Sequence, residues 1–391
     1  MNRMNMDLKG CVVLVTDIDR RKSIPLIRSL GKAGAQVVGI SYAAFPMGGF
    51  SRYCHEQLRC PDYRVQKLAF EQFLETTCRE MRPDVLIPLE DVVLEICVQK
   101  PEIWEPFTKA LLPNASVLDV AYDKWQTLLA AQKAQIAIPF SACPKTDDEL
   151  IDLASNWVGG AVIKPRKSSG SRGLRFVNDP IDIVSTYKEV SQEFPYPVIQ
   201  SRLDSSGTGL GVCLLLDKNQ NVLAIFGHER LREYPIEGGP STLRRSYKNH
   251  FLIEKSVKLL KEIRFSGVAM VEYKIDLSTG EPVLMEINPR FWGSLHLAIA
   301  AGVNFPVLYC LSALGRPLTP VLEFQEDIYA RWLIPGDLLH FIFSPNRFHL
   351  KPSFFKFWGN DLFYDELSLD DPLPTLGLII ESLQRLFEKK R

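Results

Sequence analysis

No two of the eight cysteines, at positions 11, 54, 60, 78, 97, 143, 213 and 310, form a CxxC pair. The six histidines form no HExxH, so the spacings of a zinc site are missing. No apolar run approaches the roughly 20 residues of a membrane-spanning helix. The early run Cys11–Val15 is too short for a secretory signal and leads straight into Asp17-Ile-Asp-Arg-Arg. An excess of one charge is lacking as well. With 46 basic and 46 acidic residues, net charge draws the chain neither to nucleic acid nor to an anionic surface. Scattered apolar cysteines such as Cys11 and Cys213 read as reduced core residues, and the expectation is a cytoplasmic protein with no nucleic-acid partner and no membrane span.

What is present is the composition of a folded protein, 46% hydrophobic and 24% charged, over 391 residues, enough for two or three lobes. Strand and helix signals alternate over residues 1–118. Val12–Thr16, Gln36–Ser41 and Val85–Pro88 read as strands, and Ser23–Ala33 and Lys67–Met81 as helices. That rhythm predicts an α/β domain with a parallel sheet. A dinucleotide site is disfavoured, because strand one runs into Thr16-Asp-Ile-Asp-Arg with no GxGxxG. Residues 119–315 read as mixed α+β. Over 119–196 come helices at Asp123–Gln135 and Asp147–Trp157 and strands at Ala161–Pro165 and Leu174–Val177. Over 197–315 come further strands, a helix Phe251–Ile263 and a hairpin Gly267–Asn288. Residues 316–391 form a C-terminal extension rich in Phe, Trp and Pro, densest at Phe354-Phe-Lys-Phe-Trp358. Its rings either pack against the body or a partner subunit, or contact a membrane.

The hairpin carries the chemistry. A three-residue loop, Ser278-Thr279-Gly280, is centred on Thr279 and sets Glu272 opposite Glu286, with Asn288 on the same face. Facing carboxylates repel, and a cation between them reverses the penalty. All-oxygen donors suit Mg²⁺ or Mn²⁺, which complete their shell with substrate phosphates. A two-residue turn would put the two glutamates on opposite faces. The loop Lys167-Ser-Ser-Gly-Ser-Arg-Gly173 joins two strands and offers backbone N–H groups and hydroxyls to phosphate oxygens. Lys164, at the end of the buried strand Ala161-Val-Ile-Lys-Pro, needs an anion or an outlet to water.

In this order the pieces resemble the ATP-grasp superfamily, and in particular single-copy relatives of the carbamoyl-phosphate synthase large subunit, over residues 8–315. The resemblance rests on Tyr122-Asp-Lys124, Val162-Ile-Lys-Pro165, Ser168-Ser-Gly-Ser-Arg-Gly173, Val198-Ile-Gln-Ser-Arg-Leu203, Arg230-Leu-Arg-Glu-Tyr-Pro, Gly238-Gly-Pro-Ser-Thr242 and, above all, Glu286-Ile-Asn-Pro-Arg290 preceded by Glu272. It implies a pre-ATP-grasp α/β domain followed by an ATP-grasp fold. ATP and Mg²⁺ (or Mn²⁺) are then the expected cofactors. Lys124 and Lys164 would contact the nucleotide, and Ser169, Gly170, Ser171 and Gly173 would lie in the loop closing over its phosphates. Gln200, Ser201 and Leu203 would form the adenine-reading hinge. Ser201 departs from the Glu often found there, and Asp204 can substitute. Glu272, Glu286 and Asn288 would hold the metal, and Arg290 with Lys164 would act on the transferred phosphoryl group.

The implied activity is a carboxylate–amine ligase. ATP phosphorylates a small carboxylate to an acyl phosphate, and an amine or other nucleophile then displaces phosphate. Arg230, Arg232 and Arg244 flank the Gly238-Gly239 loop and are expected to bind the substrate carboxylate. His296 reads as a packing residue in preference to a catalytic one. The alternatives are a bicarbonate-using carboxylase or carbamoyl-phosphate-type enzyme, and a non-catalytic ATP-binding interaction protein. A homodimer is a further expectation.

Overall fold

The structure, a computed structural model, describes residues 7–167, 172–204, 208–236 and 238–378. The N-terminal sheet holds β1 (Val12–Val15), β2 (Gln36–Ser41), β3 (Cys54–Arg59) and β4 (Val85–Ile87) in the order β3-β2-β1-β4. All its pairings are parallel. Val13, Leu14, Val15, Val85, Leu86 and Ile87 are fully buried, because helices cover both faces; such strands read as unbroken apolar runs. β3 carries no apolar strand signal and is not among the expected strands. Its Cys-His-Glu-Gln-Leu-Arg lies mostly exposed at the sheet edge, where polar residues block pairing with another chain. Strand order reverses between β1 and β4, and ligands of open parallel sheets bind beyond the carboxyl ends at such a point. The segments leaving those ends carry Arg20-Arg21-Lys22 and Glu90-Asp91.

A small antiparallel sheet follows, built from β5 (Ser141–Ala142), β6 (Ala161–Lys164), β7 (Arg175–Val177) and β8 (Val198–Ser201) in the order β5-β8-β6-β7. The metal-binding subdomain is expected from the sequence over 197–315. The structure instead pairs β8 with β6 and β5, so residues 198–201 belong to the small sheet.

The largest sheet has seven strands: β9 (Gly209–Leu216), β10 (Val222–Glu233), β11 (Ser241–Ser246), β12 (Gly267–Ile275), β13 (Pro282–Asn288), β14 (Tyr329–Arg331) and β15 (Leu362–Tyr364). Their order is β13-β12-β9-β10-β11-β14-β15. The helix His250–Glu262, capped by the Asn249 side chain accepting from Leu252 N at 3.0 Å, buries Leu252, Leu259 and Leu260 against one face. The other face shares a core with the N-terminal sheet, running from Val13 and Leu26 to Phe226, Met270 and Trp292.

Residues beyond 315 are therefore not an appendage, since they supply β14 and β15 to this sheet. Buried ion pairs fasten them. Arg28 Nε donates to Asp371 at 2.8 Å, while its Nη2 reaches the carbonyls of Glu366 and Asp371 at 3.0 and 2.7 Å. Asp337 is shared by Arg232 and Arg331 at 2.8 and 2.6 Å, and Asp365 by Arg21 and Arg244. The expected packing of the aromatic block holds for part of it. Phe354 is buried, stacked on Phe341 at 4.2 Å and covered by the Arg331 guanidinium at 4.5 Å.

Candidate active site

The hairpin reaches the expected pairing by an unexpected route. Ile275 pairs with Pro282, leaving 276–281 between them, an even number of residues and not the odd loop the sequence suggests. Gly280, at φ +75°, does take the left-handed conformation the turn needs, and its N–H donates to Asp276 O at 2.7 Å. Continued regularly, this register would set Glu286 opposite Val271, on the face away from Glu272. A bulge at Met285 takes up one residue, so Glu286 lies opposite Glu272, and Asn288 opposite Met270.

The three predicted metal ligands come together. Asn288 Nδ2 donates to Glu272 Oε1 at 3.0 Å and to Glu286 Oε1 at 3.1 Å. Arg230 Nη2 donates to Glu272 Oε2 at 2.5 Å. Burial raises the Glu272 pKa; Arg230 pulls it back, and the charge on Glu286 adds to the rise. Arg230 is itself held above its ordinary value, first by Glu272. The donor chemistry fits a hard divalent cation: two carboxylates and an amide that, turned over, presents Oδ1 to the same point. Among the described residues no three His, Cys, Asp or Glu side chains gather. Oxygens from a bound partner would have to complete any such shell.

Two lysines flank the pair. Lys124 opens the helix Lys124–Lys133, which Asp123 caps by accepting from Trp125 N at 3.0 Å; Arg166 grips the same carboxylate at 2.5 Å. That anchoring carries Lys124 Nζ to 3.8 Å from Glu286 Oε2. Lys164 ends β6, and its Nζ donates to Gln200 Oε1 at 2.6 Å. Burial lowers the Lys164 pKa to about 8, against the pull of Glu286. Arg290, beyond β13, donates through Nε to Asp91 Oδ1 at 2.7 Å, so a carboxylate of the N-terminal domain aims it. Burial alone would lower its pKa, but Asp91 and Glu90 raise it.

A cavity of about 740 Å³ joins these groups. Six cations line it (Arg21, Lys124, Lys164, Arg230, Lys274 and Arg290) against three carboxylates, Glu233, Glu272 and Glu286. In a chain of zero net charge, this is a local positive excess of three. Gly238 and Gly239 line it too. A Cβ on Gly239 would meet the Tyr234 carbonyl oxygen at 2.1 Å, so only glycine lets the turn close.

Other expected residues stand elsewhere. Ser169, Gly170 and Ser171 lie outside the described residues. Gly173 packs against Phe194 and Pro165. Among the described residues Gln200 reaches the site through Lys164 and does not line the cavity. Ser201 N–H is bonded to Phe140 O at 2.8 Å, and Leu203 and Asp204 follow it at the margin of the small sheet. Two of the three arginines assigned to substrate are corrected. Arg232 and Arg244 are 5% and 0% exposed, committed to Asp337 and Asp365, and absent from the cavity lining. Arg21 lines it instead, ion-paired with Asp365 and 4.2 Å above the Trp332 ring; its Nη2 lies near Gly293 with no hydrogen bond among the described residues. The signal was three successive cations after the first strand of a parallel sheet. His296 packs beside Phe363, 3.8 Å from Asp365, in line with its reading as a packing residue.

A parallel-sheet domain, a small antiparallel sheet and a large sheet bearing an acidic hairpin opposite two lysines together make the architecture of the ATP-grasp fold. Residues 212–334 match the family model described as ATP-grasp in the biosynthetic pathway with Ter operon. Acetyl-CoA carboxylase 1 of Oryza sativa subsp. japonica is 31% identical over 194 residues, 48% of this chain and 8% of that protein, so the chain spans only a small part of the curated relatives it matches. Among solved structures, the biotin carboxylase domain of Hydrogenobacter thermophilus 2-oxoglutarate carboxylase, in complex with MgADP, ADP and bicarbonate, superposes with a TM-score of 0.67 at 17% identity. The match covers 81% of this chain and 73% of that one. N5-carboxyaminoimidazole synthetase of Staphylococcus aureus gives 0.64 at 16% identity, with coverages of 81% and 80%. Residues 212–334 thus match an ATP-grasp family model, and the chain over four-fifths of its length has the fold of these carboxylase and synthetase structures.

Proposed function

We propose that this protein is a magnesium-dependent, ATP-using ligase that activates a small carboxylate as its acyl phosphate and passes the acyl group to an amine. The observation that carries this is the cavity's charge arrangement: an excess of cations converging on a facing pair of carboxylates. Such a site suits a polyphosphate that arrives with its own cation. Glu272, Glu286 and Asn288 would hold Mg²⁺, and that ion would neutralise charge on the nucleotide phosphates. Lys164 and Lys124 bind and orient the nucleotide. Gln200 fixes the Lys164 ammonium until a phosphate replaces it. The guanidinium of Arg290, aimed by Asp91, stabilises charge on the phosphoryl group as the substrate carboxylate attacks it. Arg230 and Arg21 are the substrate-assigned and newly found arginines that line the cavity, and Arg21 Nη2, with no hydrogen bond among the described residues, can donate to a carboxylate. The loop around Ser169, Gly170, Ser171 and Gly173, with Gln200–Asp204, is assigned to the nucleotide on the family resemblance.

A second reading takes bicarbonate as the carboxylate, and the likeness to carboxylases favours it. One assay separates the two: ADP release with Mg²⁺ and ATP, screened over amino acids, other small carboxylates and bicarbonate, each with and without amines, and mass spectrometry of products. ADP release that needs an organic carboxylate and an amine supports the ligase. Release that needs bicarbonate alone moves the assignment to the second reading, and no binding of Mg–ATP refutes both.

A further inference from the structure

The C-terminal segment presents a surface that the ligase reading does not use. From Leu338 to Asn360 the chain contains no Asp or Glu, although 46 acidic residues are spread over the rest. Phe348, Phe355 and Trp358 stand 73%, 57% and 84% exposed, and Phe343 nearby is 60% exposed. Isolated exposed rings are ordinary; the first three belong to one linked cluster. Phe341 contacts Phe348, Phe354 and Phe355, with centroids 5.7, 4.2 and 5.5 Å away, and Phe354 leads through Phe357 to Trp358. Arg347 and Lys351 are exposed beside the rings, and neither has a carboxylate partner among the described residues. Arg347 bonds only the Ile342 carbonyl, at 3.0 Å. Lys356 is the exception, paired with Asp361 at 2.7 Å.

We propose that this surface seats the protein on an anionic lipid bilayer, with the rings entering the headgroup region and Arg347 and Lys351 facing lipid phosphates. Charge decides between this occupant and the others. A second copy meeting the patch about a two-fold axis would bring like-charged Arg347 and Lys351 together, with no acidic residue in the segment to offset them. Protein interface cores are depleted in lysine, whereas exposed Phe and Trp among Lys and Arg are the composition of interfacial membrane contacts. No helix among the described residues is long and apolar enough to cross a membrane. The patch also adjoins the cavity wall: Tyr234 stacks on Phe343 at 5.7 Å, and Glu233, whose carbonyl bonds His340 Nδ1 at 2.8 Å, lines the cavity.

The test is flotation of the full chain with phosphatidylcholine vesicles containing about 30 mol% phosphatidylglycerol, against phosphatidylcholine alone. Wild type should float with the anionic vesicles and be released by high salt. The triple variant Phe348→Ser, Phe355→Ser, Trp358→Ser and the pair Arg347→Glu, Lys351→Glu should each lower partitioning at least about tenfold. These side chains are exposed, and unchanged circular dichroism and melting would confirm the fold. Failure of wild type to float, equal flotation on neutral vesicles, or variants that float like wild type would overturn the proposal. So would a concentration-dependent dimer, seen by light scattering, that the triple variant abolishes, because the face would then be a self-interface.

Discussion

Replacing Glu286 with Gln separates the structural cost of the acidic pair from its use. Asn288 Nδ2 is 3.0 and 3.1 Å from the two carboxylate oxygens it bridges, which places them at most about 6 Å apart. At an effective dielectric of roughly 20, unit charges about 5 Å apart repel by some 3 kcal/mol. Glu286 is 35% exposed, so screening reduces this to about 1 kcal/mol. The sign follows from Glu272, whose pKa is raised by burial and then, against Arg230, by Glu286. Stability from such a group is fully present below the ordinary carboxylate pKa and is lost as pH rises through the raised value, so at neutral pH the ionised pair weakens the fold. Glu286→Gln keeps the shape and the acceptor for Asn288; it relieves the repulsion of Glu272 but gives up the attraction of Lys124, so stability in urea melts should change by no more than about 1 kcal/mol. Binding should move the other way. A divalent ion that loses one of two carboxylates forfeits roughly 2–4 kcal/mol, about a hundredfold in Mg–nucleotide affinity by calorimetry, and turnover with it. A variant destabilised by more than about 2 kcal/mol, or one that binds Mg–nucleotide like wild type, refutes the argument.

Lys164, with its pKa lowered to about 8, is partly neutral at pH 8, and a phosphate should lift it back towards its ordinary value. Calorimetry of nucleotide binding at pH 8 in buffers of different ionisation enthalpy should show uptake of about half a proton, lost in Lys164→Met; no uptake in wild type would contradict it. Burial, then Arg230 and Arg244, lowers His228 to about 3, so the stability it supports is present above the unfolded pKa of about 6.5 and falls away as pH drops from there towards 3. At pH 5 the loss is about 2 kcal/mol, and His228→Gln should flatten that slope in acid denaturation; an unchanged slope would assign it to other groups. Asp337→Ala leaves Arg232 and Arg331 buried without their carboxylate and should cost about 3–5 kcal/mol by urea unfolding, where a loss below about 1 would show the pairs to be dispensable. Arg21→Gln should raise the KM of the carboxylate substrate more than about tenfold with kcat nearly held, and Arg21→Lys should restore part of it; an equal fall in kcat would point to a structural role.

The regular elements were legible because their signals are local. Gln36–Ser41 and Lys67–Met81 were bounded to the residue, since apolar periodicity and the flanking Gly34 and Pro83 act over a few positions. What escaped depends on distance in the chain. The partners that bury Arg28, Arg232 and Arg244 lie 343, 105 and 121 residues away, and no short-range pattern announces them. An arginine beside a glycine-rich loop looks the same in sequence whether it ends in a cavity, as Arg230 does, or in a sealed ion pair, as Arg232 does two residues later. β10 and β11 bulge between those positions, so even the alternation of faces is broken there. The polar edge strand Cys54–Arg59 escaped for the opposite reason: with one side open to water it needs no apolar pattern at all.

The pairing of Glu272 with Glu286 came out as read although the loop did not, and the reason bears on what the hairpin is for. Loop parity fixes which residues share a face only while the ladder is regular. Left regular, the even loop would have parted the two carboxylates to opposite faces, one away from the cavity, and spared the sheet their repulsion. The chain instead gives up a regular pair at Met285, and the extra residue restores the facing arrangement just before Glu286. Two unfavourable features, an interrupted ladder and apposed like charges, thus occur together, and each removes the benign explanation for the other. A bulge that served only the bend of the strand would have no need to gather acids beneath Arg230 and Lys124. Acids gathered by chance would not require a bulge to meet. Arg230 and Lys124 offset part of the repulsion, and on the proposed function a cation arriving with a bound phosphate would turn the rest into attraction.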